Sequence, residues 1–159
     1  MRLPGLGSEL SSFLLKMMHQ LLPTQERVAR TSQAVTGICK MQGCVGEQRE
    51  DVMHALVTCA GNGSVGRSVL DSVAAHIGVG GMTDEQAIRL HFDIEDSNEL
   101  PVVWFLAVSW ASMWDARMAG KRPELYRVRA DLEAKVSMLR ETRRYKDDAE
   151  KVTTMINNM

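Results

Sequence analysis

The stretch LPVVWFLAVSWASMW (100–114) is the most apolar in the chain, and its reading decides the fold. It runs for 15 residues between Glu99 and Asp115. A membrane span needs about 18–20 apolar residues, so this segment reads as a helix buried in a protein core. The helix is expected over 100–118 and carries all three tryptophans. Trp104 and Trp110 are expected in the core, and Trp114, next to Asp115, at its edge. A base-stacking platform would need them exposed.

Towards the C-terminus, Gly120 ends that helix and Pro123 suits the first turn of the next. A long last helix is expected from about Arg122 to Ile156. Along it Met138, Thr142, Tyr145, Ala149, Val152, Ile156 and Met159 alternate four and three apart, close to a heptad seam.

Towards the N-terminus the helical period persists. In SELSSFLLKMMHQLL (8–22), Leu10, Phe13, Leu14, Met17, Met18 and Leu21 form one apolar stripe, which Pro23 stops. Thr24 can cap a short second helix. A helix is expected from about Gln48 to Thr58, then a loop (60–66) and a stripe through Val65, Val69, Leu70, Val73 and Ala74. Glycines at 78–81 interrupt it, and Thr83 with Gln86 matches a capping box. ALVTCA (55–60) and VVWFLAV (102–108) are the only candidate strands, so the fold class is all-α. Three regions are expected, a helical zinc-knuckle region over 1–62, a helical core over 63–120 and the long C-terminal helix over 121–159, which forms one compact domain with 1–120.

The 159 residues are 45% hydrophobic and 25% charged, with a net charge of −1. Such a chain is one ordinary globular domain with no global pull towards nucleic acid or anionic membrane. No secretory signal is evident, because Glu9, Lys16 and His19 interrupt the apolar residues near the start. With an odd cysteine count this points to an intracellular protein with reduced thiols and no membrane partner.

The cysteines lie together in CKMQGCVGEQREDVMHALVTC (39–59). Cys39, Cys44, His54 and Cys59 give C-x4-C-x9-H-x4-C. The count and order suit a tetrahedral zinc site, with two donors at a glycine-rich loop and two at a helix end. His54 and Cys59 converge only if the helix ends between them. Buried cysteines beside a surface histidine would give the same letters, and so would one disulfide with a spare thiol.

The order FLLKMMHQLLPTQERVAR, a cysteine pair, then EDVMHALVTC resembles the zinc-binding region that follows the reverse transcriptase in non-LTR (LINE-type) retrotransposon polyproteins. Leu22, Pro23, Thr24, Arg27 and Arg30 match its turn, Cys39 and Cys44 its pair, Glu50 and Asp51 its acidic helix, and His54 and Cys59 its H-x4-C. The resemblance covers about residues 10–62. It departs at the first pair, where the family has C-x2-C. It implies a CCHC knuckle with a closed, structural zinc and a non-catalytic, nucleic-acid-binding accessory region of a retroelement reverse transcriptase. No polymerase is expected in this chain.

GNGSVGRS (61–68) satisfies G-x-G-x-x-G but has Arg67 where a phosphate-binding lysine belongs, and no further β-α units to hold it. It reads as a loop into a helix. His19, His54, His76 and His91 are scattered, and no nucleophile motif accompanies them, so no enzyme is expected. The acidic run 93–99 reads as a solvated helix start.

Residues 60–119 hold three basic and eight acidic side chains, and 120–159 hold ten and seven. Arg140, Arg143, Arg144 and Lys146 around Tyr145 could neutralise phosphates of RNA or DNA, though interleaved acids also suit an ion-paired exposed helix. Arg27, Arg30 and Lys40 form a second, smaller patch near the cysteines. A different class of function is a helical interaction module that forms a homodimer through the 138–159 seam; a reverse transcriptase region is the other protein partner expected.

Overall fold

The computed structural model describes residues 7–78, 83–90 and 96–159. The glycines at 80–81 and the acidic residues at 93–95 lie outside them, as does His91. Among the described residues all regular structure is helical, apart from one antiparallel bridge between Ile38 and Arg49. The fold class is therefore all-α, and both candidate strands are helical.

The apolar stretch forms the axis of the fold. It lies in α5 (Asp96–Met118), which starts earlier than expected and takes Pro101 into its second turn. Every residue from Val102 to Trp110 is buried. A helix apolar on all sides has to be enclosed on all sides. Around it pack α1 (Ser8–Met18), α3 (Val65–Ile77), α6 (Leu125–Glu141), α7 (Lys146–Asn157) and a helical turn at His54–Thr58. One hydrophobic cluster runs from Leu14 to Ile156 and draws on all three expected regions. The hydroxyl of Ser109, buried within it, donates to the Phe105 carbonyl at 2.8 Å. Trp114, expected at the edge, is buried like Trp104 and Trp110, so none of the three offers a face to a base.

The C-terminal region is helical and long, but broken once. α6 ends at Glu141, Thr142 is extended, and Arg143–Tyr145 make a short 3-10 turn into α7. An unbroken helix over 122–156 would be ~52 Å long and would carry half its apolar residues away from the core. The break lets both halves bury a face, Val128, Leu132, Val136 and Leu139 from α6 and Ala149, Val152, Met155 and Ile156 from α7. Arg140 donates across the turn to the Thr153 hydroxyl at 2.8 Å. Of the expected seam, Ala149, Val152 and Ile156 lie in the protein's own core, and Met138 is exposed apart from them.

Two caps are as the letters imply. The Thr24 hydroxyl accepts from the Arg27 amide at the start of α2 (Gln25–Ala29). Thr83 and Gln86 complete a capping box on α4 (Asp84–Arg89). The expected helix from Gln48 is shorter. Residues 48–50 instead pair with 37–39, where the Cys39 amide donates to the Gln48 carbonyl at 2.9 Å and the Glu50 amide to Gly37 at 3.0 Å.

Candidate metal centre

That pairing positions the first cysteine of the cluster. It carries Cys39 into the protein, where its side chain is buried, and Gly37 turns the chain ahead of it with φ +77°. The chain then turns at Met41–Cys44, closed by a bond from the Cys44 amide to the Met41 carbonyl at 3.0 Å. This loop presents Cys44 half-buried, at the outer side of the group.

The second pair comes from the helical turn. Asp51 caps it, its carboxylate accepting from the His54 amide at 2.7 Å. In an α-helix, residue 59 would lie about 140° round the axis from residue 54. Here the turn is a π-helix, and the Cys59 amide bonds the His54 carbonyl at 2.9 Å, an i→i+5 closure. The wider turn and the extended backbone at Cys59 bring both side chains to one side. The structure thus meets the geometric condition by widening the helix as well as ending it.

The result is a compact donor set. Cys39 Sγ, Cys44 Sγ, a His54 ring nitrogen and Cys59 Sγ all lie within 4.8 Å of one another. Cys39 Sγ and Cys59 Sγ are 3.7 Å apart, and Cys44 Sγ is 3.4 Å from His54 Nε2. A zinc tetrahedron with bonds of ~2.3 Å to sulfur and ~2.0 Å to nitrogen has edges of about 3.5–3.8 Å. The three thiols are free, so these are not disulfide partners. His54 Nδ1 faces the Thr58 hydroxyl at 3.5 Å, which leaves Nε2 for the ligand position.

The electrostatics favour a cation among the sulfurs. Burial, then the neighbouring thiols, push Cys44 up to about 12, and burial raises Cys39 as well. Burial would also raise Cys59, but hydrogen bonds from Arg117, Cys39 and the Gly61 backbone outweigh it and hold this thiol below its ordinary value. Burial and then the Arg117 charge lower His54, which keeps the imidazole neutral, as a metal ligand must be. Three thiolates cannot share this space without a positive charge. The residues present fit a soft divalent ion, and the sulfur-rich donor set is compatible with a metal site.

The neighbourhood includes a residue that the spacing gave no reason to single out. Arg117, 58 residues beyond Cys59, enters from the end of α5 and points its guanidinium at the sulfurs. Nothing local marks it, since its partners are distant in the chain.

The glycine-rich loop finds its explanation here as well. A Cβ at Gly61 would stand 2.4 Å from Met41 Cγ, and one at Gly66 would stand 2.4 Å from the Leu56 carbonyl oxygen. Asn62, buried between them, donates to the Ala55 carbonyl at 2.7 Å. These residues let the knuckle, the π turn and α3 approach closely, which accounts for G-x-G-x-x-G without a phosphate.

The seven basic residues of interest fall into two groups. Arg27 donates to the Gln20 carbonyl at 3.3 Å, Arg30 pairs with Glu26, and Lys40 is exposed beside Cys39. At the α6–α7 turn, Arg143, Arg144 and Lys146 are exposed, Arg144 lying over the half-buried Tyr145 ring. Among the described residues only Arg30 of the seven has a carboxylate partner. The interleaved acids of the turn therefore do not neutralise its cations by direct pairing.

Residues 145–148, YKDD, spell the Tyr-x-Asp-Asp of a reverse transcriptase turn. Here the two aspartates occupy the first turn of α7, where they favour the helix dipole. Among the described residues the one group of three or more His, Cys, Asp and Glu side chains close enough to share a metal ion is the cysteine cluster.

The fold and site define an all-α domain with a Cys3His cluster at the junction of a loop, a π turn and a central helix. No protein family, curated protein or solved structure matches this chain. Among the described residues no helix is long and apolar enough to cross a membrane.

Proposed function

We propose that Cys39, Cys44, His54 and Cys59 hold a structural zinc ion, and that the domain it staples is a non-catalytic nucleic-acid-binding module. The observation that carries this reading is the convergence of four soft donors, from two separate segments, at tetrahedral edge distances. All four positions are filled by the protein, so the metal has no open position for substrate or water. Its contribution is folding free energy, on the order of 10 kcal/mol in small modules.

The nucleic-acid part is supported by Arg143, Arg144 and Lys146, three exposed cations without carboxylate partners, and by Lys40 beside the knuckle. The sequence resemblance over residues 10–62 supports the finer role, an accessory region of a retroelement reverse transcriptase that holds template RNA or target DNA. Exposed arginines and lysines bind phosphates by releasing counterions, so affinity falls as salt rises.

The test combines native mass spectrometry with fluorescence anisotropy on labelled single-stranded RNA and duplex DNA. One zinc per chain is expected, lost in Cys44→Ser/His54→Ala. For single strands, three phosphate contacts give a slope of roughly −2 in log affinity against log salt. The triple variant Arg143→Ala/Arg144→Ala/Lys146→Ala flattens that slope. Metal-free folded protein overturns the zinc reading. Zinc-loaded protein that ignores both nucleic acids overturns the binding role.

A further inference from the structure

We propose that Arg117 is a positioning residue of the metal centre: its guanidinium fork, braced by Glu50, donates to the sulfurs of Cys39 and Cys59 and offsets the charge of the ligated thiolates. This rests on the zinc reading above.

The geometry is specific. Arg117 Nη2 lies 2.9 Å from Cys39 Sγ, and Nη1 lies 3.9 Å from Cys59 Sγ and 3.5 Å from Asn62 Oδ1. Nη2 also donates to Glu50 Oε2, and Glu50 Oε1 accepts the Gln25 amide at 3.1 Å. Both side chains of the ion pair are 7% exposed. One planar group thus joins α5 to the knuckle, the π turn's end and, through Glu50, the start of α2.

A charge count gives this arrangement a reason. Three thiolates, a neutral imidazole and a divalent cation carry one net negative charge. Arg117 adjoins it and is itself paired with Glu50. The buried group therefore keeps that single charge but shares it between the sulfurs and the carboxylate instead of leaving it on the sulfurs alone. Burying such a charge is costly unless a countercharge adjoins it. Arg117 is permanently charged, and its fork can meet two sulfurs and a carboxylate at once, which a lysine's point charge cannot. Exchanging three thiol protons for one divalent ion makes the site more negative by one charge, and an adjacent guanidinium favours that exchange. An N–H donated to a thiolate also lowers the energy of its lone pairs and weakens its donation to the metal.

Glu50 has a separate task. Without it the guanidinium would be a buried cation held only by weak sulfur acceptors and the neutral Asn62 amide oxygen. With one oxygen on Arg117 and the other on a backbone amide, the carboxylate fixes the plane of the fork.

Cobalt(II) is the probe, because its thiolate charge-transfer absorption reports on the sulfurs directly. Wild type is compared with Arg117→Lys and with Glu50→Gln/Arg117→Gln, the double variant avoiding a lone buried carboxylate. Folding is followed by far-UV circular dichroism, and affinity by competition with a chelator. In the double variant the band should move to longer wavelength and affinity fall about 10–100-fold, the usual effect of losing an outer partner. Arg117→Lys should fall between the two proteins.

An unchanged band in either variant overturns the proposal, even if affinity drops, because a purely structural role lowers affinity without moving the band. If the double variant does not fold, Arg117→Lys decides alone. If wild type takes up no cobalt, the metal reading itself fails and this inference falls with it.

Discussion

Gly66, in the first turn of α3, lies so close over the π turn that a Cβ there would stand 2.4 Å from the Leu56 carbonyl oxygen and 3.2 Å from Val57 Cα. Both contacts are backbone, so the obstacle cannot rotate away. Gly66→Ala therefore should destabilise the domain by about 1–3 kcal/mol, the range for overpacking, although alanine normally improves a helix by about 1 kcal/mol. Thermal melting of the variant gives the sign at once. A stabilised Gly66→Ala would mean that α3 does not approach the π turn in this way.

Metal and fold should be linked. With free zinc at about 1,000 times its dissociation constant, the metal should add about 4 kcal/mol to stability. Denaturant unfolding with zinc and with a chelator measures the difference. It should vanish in Cys44→Ser/His54→Ala, which removes two of the four donors.

Asp115 sits with Glu9 and Asp131 across α5, α1 and α6. Partial desolvation, then Asp131 and Glu9, raise its pKa above the ordinary carboxylate value. A carboxyl whose folded pKa is raised favours the fold below its unfolded pKa. That contribution is lost as pH rises through the folded value. Asp115→Asn should thus melt higher than wild type at neutral pH, and the gap should close below about pH 4. Equal melting temperatures at both pH values would remove the raised Asp115 pKa, and the cost of its ionised form, from the account.

Val152 separates a core from an interface. It is fully buried against the protein's own helices, so Val152→Asp leaves an unpaired charge in the core. Unfolding at ordinary temperature, or a loss of 3 kcal/mol or more, is expected. Size-exclusion chromatography with light scattering, run beside the melt, shows the alternative. A well-folded monomer made from a wild-type dimer would restore the seam as an interface.

Much of this protein is determined locally. The period of 8–22, the caps at Thr24 and Thr83, and the unbroken apolar face of 102–110 are properties of neighbouring residues, and they suffice for an all-α fold around α5. The four site residues are equally legible, because Cys39, Cys44, His54 and Cys59 fall within 21 residues of chain. Only tertiary packing decides the rest. The heptad-like spacing at 138–159 is the same for an outward seam and for a hairpin folded onto a core, and the need to bury both faces selects the hairpin. The π turn that aligns His54 with Cys59 has no local signature, and α3 packs closely over it at Gly66. Arg117 joins the cluster from 78 residues beyond Cys39. A contact at that separation depends on where the whole core places the end of α5, and local spacing carries no trace of it.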